Sequence, residues 1–163
     1  DISVRFKAAG KPADSQMRIM YDVAHHEQSK DANRDFMHGV KLDGFMSEDE
    51  VAAAAILVNL FDGGPKSKVS YRVNDGNYIP MERVLRTDPY IVEQFQRYES
   101  VKKSWVQATD STHIFSADLD DSIGPGTHTV TVRAIDEFGR VHHGHSILEI
   151  TGGMRVSEVG VKY

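Results

Sequence analysis

"SKVSYRVNDGNYIPM", Ser67–Met81, decides the fold class. Val69, Tyr71 and Val73 alternate with Lys68, Ser70 and Arg72, the period-two pattern of a strand with one buried and one wet face. Asp75-Gly76 then interrupts it, and that pair is expected to supply the positive-φ positions of a tight turn. The stretch predicts a β-hairpin. The same alternation recurs on both sides of it. In "DISVRFKA" Ile2, Val4 and Phe6 share a face, and in "QMRIMYDV" Met17, Ile19, Tyr21 and Val23 do. "THIFSADL" reads as another strand, closed by the "GPG" turn at Gly124–Gly126. In "THTVTVRAID" Val130, Val132 and Ala134 point inward and Thr129, Thr131 and Arg133 outward. "DEFGR" turns the chain into "VHHGHSILEI", and "MRVSEVGVKY" offers a last strand.

Short strands separated by turn signals predict a mainly β fold, an antiparallel β-sandwich with immunoglobulin- or fibronectin-like strands. One helix is inserted near residues 89–100. There Asp88 serves as N-cap and Pro89 as the first helical residue, and Ile91, Phe95 and Tyr98 form an apolar stripe. A shorter helix near Glu48–Ala54 follows from the Ser47/Glu50 capping-box spacing, although "AILVNLF" beyond it also reads as a strand. Ala24–Asp43 is polar and aperiodic and is read as a long loop. The expected organisation is residues 1–55 as N-terminal strands and loop packing on the sandwich, 56–153 as the sandwich core with its helix, and 154–163 as a C-terminal strand or tail.

The bulk numbers narrow the function classes. A chain of 163 residues with 40% apolar and 26% charged residues can bury a core without covalent staples. A net charge of −5, with Lys and Arg scattered, gives no basic patch for nucleic acid. Cysteine is absent, which excludes disulfides, thiolate metal sites and a cysteine nucleophile. The longest apolar run, Val51–Phe61, is short of the ~20 residues a membrane helix needs. The chain opens on Asp1 within a strand-like stretch and has no signal peptide, so it is read as a piece of a longer protein.

Few residues invite chemistry. His143 and His145 would share one face of a strand, roughly 7 Å apart, which suits two ligands of a zinc-like ion. A third ligand would have to come from elsewhere, such as His25, His26 or Glu27. The plainer reading is a polar sheet face, with Gly144 marking a bulge. Asp118–Asp121 could gather calcium through oxygens, but it lacks the EF-hand pattern and reads as a solvated loop. Tyr78, Tyr90, Tyr98 and Trp105 could make a sugar-stacking platform, although aromatics at helical spacing are read first as core. There is no G-x-S-x-G elbow and no nucleotide-binding glycine motif.

Two stretches carry a resemblance, "LVNLFDGGPKSKVSYRVNDGNYIPMERVLRTDPYIVEQF" (Leu57–Phe95) and "STHIFSADLDDSIGPGTHTVTVRAIDEFGRVHHGHSILEI" (Ser111–Ile150), supported by "FKAAGKPADSQMRI" (Phe6–Ile19). They resemble the C-terminal domain of the calcineurin-like phosphoesterases of Bacteroidetes and related bacteria. In that family the chemistry belongs to an upstream domain whose D-x-H, G-D-x-x-D, G-N-H-[DE] and G-H-x-H motifs hold two divalent metals that activate water against a phosphate ester. None of these motifs is present here; Gly144-His145-Ser146-Ile147 comes nearest, with Ile147 in place of the second histidine. The resemblance therefore implies a non-catalytic accessory domain with no cofactor or metal of its own. It would pack on or orient the upstream catalytic domain, or present a binding surface, in the periplasm, cell envelope or outside the cell. A carbohydrate- or polymer-binding module, with a glycan or envelope polymer as partner, is the second expectation. A metal-dependent site at His143/His145 is the third.

Overall fold

The structure is a computed structural model that describes residues 16–23, 40–41 and 44–152. The strands expected at Asp1–Ala8 and after Gly153 lie outside these residues, as does most of the 24–43 segment.

Nine strands and two helices follow one another as β1 (Met17–Asp22), β2 (Val40–Lys41), β3 (Phe45–Ser47), α1 (Glu48–Val51), β4 (Ala55–Leu60), β5 (Lys68–Val73), β6 (Ile79–Thr87), α2 (Pro89–Arg97), β7 (Asp110–Asp118), β8 (Gly126–Ile135) and β9 (Val141–Thr151). The mainly β, antiparallel expectation holds, with one parallel pair, β3 on β9. The hydrogen bonding does not divide into the two separate sheets of a sandwich. It runs through one sheet in the order β2-β1-β4-β7-β6-β5-β8-β9-β3. Nine-residue β6 joins the halves: Ile79–Met81 pair with β5, and Glu82–Thr87 pair with β7.

Connectivity forces this sheet to curl. β2 and β3 are its two edges, yet only residues 42–44 separate them in the chain. Such a link spans at most ~14 Å, whereas nine flat strands would measure ~38 Å across. The sheet therefore bends into a half-barrel, and β1 packs across its interior against β9. The concave face holds Met17, Tyr21, Ile56, Val58, Tyr71, Phe115, Val130, Val132 and Leu148. β4 is buried on both faces, because alternation sends Leu57 outward and it is as inaccessible as Ile56. That explains why "AILVNL" is an apolar run instead of an alternating strand.

Local signals were honoured in most places. Ser47 and Glu50 form the capping box of α1, which ends at Val51 and hands over to β4. Val69 and Tyr71 point into the core as expected, and the Tyr71 hydroxyl donates to the Asp118 carbonyl at 2.6 Å. The positive φ of the β5–β6 turn falls on Asn74 (φ 50), not on Asp75 or Gly76. Asn74 tolerates that conformation, and its amide and side chain both bind Thr129 of β8, which fixes the corner.

Gly144 is not a bulge. β8 and β9 pair without a register break from Gly126↔Ile150 to Ile135↔Val141. His142, Gly144, Ser146, Leu148 and Ile150 therefore form one continuous inner face. A Cβ on Gly144 would sit 2.5 Å from the Met17 sulfur and 3.3 Å from Ile19 Cδ1. The missing side chain at Gly144 leaves the gap that Met17 and Ile19 of β1 fill.

Candidate functional site

β6 and β7 are neighbours that would need only a tight turn, but residues 88–109 replace it. The insertion is clamped at its base, where Thr87 pairs with Asp110 and its hydroxyl donates to the Asp110 carboxylate at 2.9 Å. It starts at Asp88, a buried carboxylate with three partners. One oxygen caps α2 by accepting from the Tyr90 amide at 2.9 Å. The other accepts from Arg18 of β1 at 3.1 Å and from the Asn59 side-chain amide of β4. The Arg18 guanidinium also lies over the Tyr90 ring at 3.6 Å and is 5.6 Å from the centre of Phe61, so two rings and a carboxylate fix it. The predicted cap and Pro89 start of α2 are thus correct, and the cap doubles as the bolt that fastens the helix to the outer face of the sheet.

Between α2 and the ends of β1, β4 and β7 lies an open groove of about 500 Å³. Arg18, Asn59 and Asp88 form its polar floor, Phe61, Ile91 and Phe95 its apolar wall, and the strand edge from Gln107 to His113 its far side. His113 is held by a hydrogen bond to the Gly63 carbonyl.

The aromatics expected as core are largely outside it. Trp105 is 79% exposed and Tyr98 55% exposed, and Tyr78 is exposed as well. Only Tyr90 is half-buried, beneath Arg18. They do not make one platform either. Tyr78 precedes β6 and lies near Arg72, 5.2 Å from the guanidinium to the ring centre, whereas Tyr90, Tyr98 and Trp105 follow the opposite end of β6, roughly 25 Å along the strand.

The histidines separate by register. His142 faces inward, and its Nε2 lies 3.1 Å from the Asp136 carboxylate, which also binds the Phe138 and Arg140 amides and the Arg140 guanidinium. Burial works to raise the Asp136 pKa, but hydrogen bonds from His142, Arg140 and Phe138 outweigh it and hold the group below the usual carboxylate range. His143 and His145 do share the outer face, as expected. Their cross-strand neighbours are Arg133 and Thr131, and the Thr131 hydroxyl lies 3.3 Å from His145 Nδ1. The positive charge of Arg133 on the residue opposite His143 disfavours a cation there. Among the described residues no group of three or more histidine or acidic side chains is placed to hold a metal ion; His25, His26 and Glu27 lie outside them. In the Asp118–Asp121 loop, Asp120 accepts from the amide and hydroxyl of Ser122, which lowers its pKa and closes a turn.

A family model described as the C terminal of calcineurin-like phosphoesterase matches residues 1–142. The chain belongs to that family. The match includes the segment Tyr21–Ala55 and ends inside β9, so Gly144-His145 lies beyond it. No curated protein and no solved structure gives a significant match. Among the described residues no helix is long and apolar enough to cross a membrane. Sequence reasoning missed the Arg18–Asp88–Asn59 bolt and the groove above it. Arg18 gave no signal beyond being the outward residue between Met17 and Ile19, and its partner is seventy residues away.

Proposed function

We propose that this chain is the non-catalytic C-terminal domain of a metal-dependent phosphoesterase, which packs on or orients the catalytic domain upstream of it. The match over residues 1–142 carries this reading. It is supported by the way three hydrogen-bonded carboxylates are used: Asp88 caps α2 and fixes Arg18, Asp120 closes a turn on Ser122, and Asp136 anchors the β8–β9 turn. Each has hydrogen-bond donors that a substrate or metal would have to displace. On this reading two divalent metals and the activated water belong to the upstream domain, and the protein works in the periplasm, the cell envelope or outside the cell.

The test has two parts. Purified chain 1–163, assayed on a phosphate ester with added manganese or zinc, should show no turnover; turnover abolished by substitution of its own histidines overturns the reading. The full-length gene product should carry a G-D-x-x-D…G-N-H-[DE] block before this domain, and its absence overturns the parent class.

A further inference from the structure

We propose that the outer face of β5, β8 and β9 binds an oxyanion, a phosphate- or sulfate-type group seated over Thr131 between Arg72 and Arg133. This goes beyond the accessory-domain reading and does not depend on it.

Register builds the site. β8 lies between β5 and β9. Ser70, Arg133 and His143 form one cross-strand row, and Arg72, Thr131 and His145 form the next. Val69, Tyr71, Val130 and Val132 take the inner face, so these side chains point outward. Arg72 and Arg133 are diagonal neighbours, ~7–8 Å apart at the backbone, a spacing that long side chains bridge. His145 stands two strands from Arg72, ~10 Å away. Thr131 is at the centre of the group and only 7% exposed, although it lies on the outer face, because its longer neighbours shield it. Guanidiniums, imidazoles and hydroxyls thus gather in two adjacent rows that contain no carboxylate.

Charge sets this group apart from the rest of the chain. The sequence as a whole is acidic, with a net charge of −5. Arg18, Arg86, Arg97 and Arg140 each pair with a carboxylate, and Arg83 donates to the Thr112 carbonyl. Among the described residues Arg72 has only the Tyr78 ring, with its Nε shielded from water and without an acceptor. The Arg133 side chain has no ion-pair or hydrogen-bond partner among them. Asp75, Glu82 and Glu149, the acids that flank the face, stand outside the two rows and pair with neither arginine. Arg133 directly faces His143, a pairing that gains nothing from charge and costs stability whenever the imidazole is protonated. The positive charge that disfavours a cation here favours an anion, and an oxyanion over Thr131 supplies the counter-charge the fold omits. The guanidinium fork matches oxyanions in particular. Donors arriving from three strands suit the several oxygens of a tetrahedral group better than the two of a carboxylate.

Titration of chain 1–163 with inorganic phosphate, followed by NMR at fixed ionic strength so that screening stays constant, tests this. Amide signals of residues 70–72, 131–133 and 143–145 should shift saturably, with a Kd of about 1 mM or tighter. Sulfate should act alike, and chloride should not. Arg133→Gln should weaken binding at least ~10-fold. Arg133→Lys, which keeps the charge but loses the fork, should fall between. Lys103→Gln, which removes an exposed charge on the 88–109 insertion, should leave the affinity unchanged. Arg133 is exposed, so both of its variants should keep the parent denaturation midpoint, and His145→Gln gives an independent check on the second row. Methyl phosphate separates the sources: binding as tight as that of inorganic phosphate assigns the site to a phosphate group carried on a larger molecule, and weaker binding assigns it to the free ion. Shifts that never saturate, shifts confined to another face, or an equal loss in Lys103→Gln and Arg133→Gln overturn the site.

Discussion

Asp88 makes three bonds with two oxygens, so Asp88→Ala removes a helix cap, an ion-pair partner and an amide acceptor in one step. Loss of the cap costs about 1 kcal/mol. Removing one partner of a fully buried ion pair costs ~3–5 kcal/mol. The Arg18 side chain is 23% exposed and keeps its ring contacts, so about 1–2 kcal/mol is the fitting share, with somewhat under 1 kcal/mol more for the stranded Asn59 amide. The total is about 3 kcal/mol, or a fall of roughly 6–12 °C in Tm for a chain of this size. Asparagine caps as well as aspartate, so Asp88→Asn should lose only the charge, about half as much. Urea denaturation of chain 1–163, its Asp88 variants, Arg18→Met and the double variant Arg18→Met/Asp88→Asn measures this. The double variant should cost about 1 kcal/mol less than the sum of the single ones. A loss below about 0.5 kcal/mol for Asp88→Ala, or strict additivity with Arg18→Met, would refute the bolt.

Gly144→Val should cost about 1–2 kcal/mol net by overpacking Met17, and Met17→Ala in the same chain should recover part of it; a bulge at Gly144 predicts no such coupling. Burial pushes the hydroxyl pKa of both Tyr21 and Tyr71 up to about 12, aided at Tyr71 by the Asp120 charge. Because the folded value is raised above the unfolded 10.0, the stabilisation is complete below about pH 10 and is lost as pH climbs towards 12. Denaturation midpoints at pH 9 and 11 should show the fall, and Tyr71→Phe should reduce it. At the acid end, the depressed Asp136 contributes stability that is present above the ordinary carboxylate range and lost as pH drops below it. Asp136→Asn should be less stable at neutral pH and show a flatter acid decline when unfolding is followed by circular dichroism.

The elements that proved legible are those whose cause is local. Val69, Tyr71 and Val73 alternate because one sheet face is buried, and Asp88-Pro89 starts a helix because a carboxylate and a fixed φ sit in the right order. What stayed hidden depends on partners distant in the chain. Alternation placed Val130, Val132 and Ala134 on one face, but it could not tell that β6 would change neighbours halfway and turn two sheets into one. The glycine in the histidine strand looked like a defect of β9 and is a contact of β1. Helical spacing put Ile91, Phe95 and Tyr98 on one side of α2 without saying whether anything covers that side, and the described residues leave much of it bare.

The histidine strand and the insertion show the same rule from opposite directions. Spacing brings His143 and His145 onto one face, as two ligands would require, but register sets Arg133 and Thr131 opposite them, and the positive charge of Arg133 disfavours a cation beside His143. The insertion carries no recognisable motif, yet its geometry leaves apolar side chains in water at a place where a helix is bolted down by one buried aspartate. A fold can hold that arrangement only if the sheet beneath is rigid enough to support it. Here the doubly buried β4, flanked by β1 and β7, lies beneath the insertion and provides that support. Among the described residues, shared spacing gathers no cluster of three ligands around His143 and His145, whereas the segment without a motif leaves Tyr98, Val101 and Trp105 exposed.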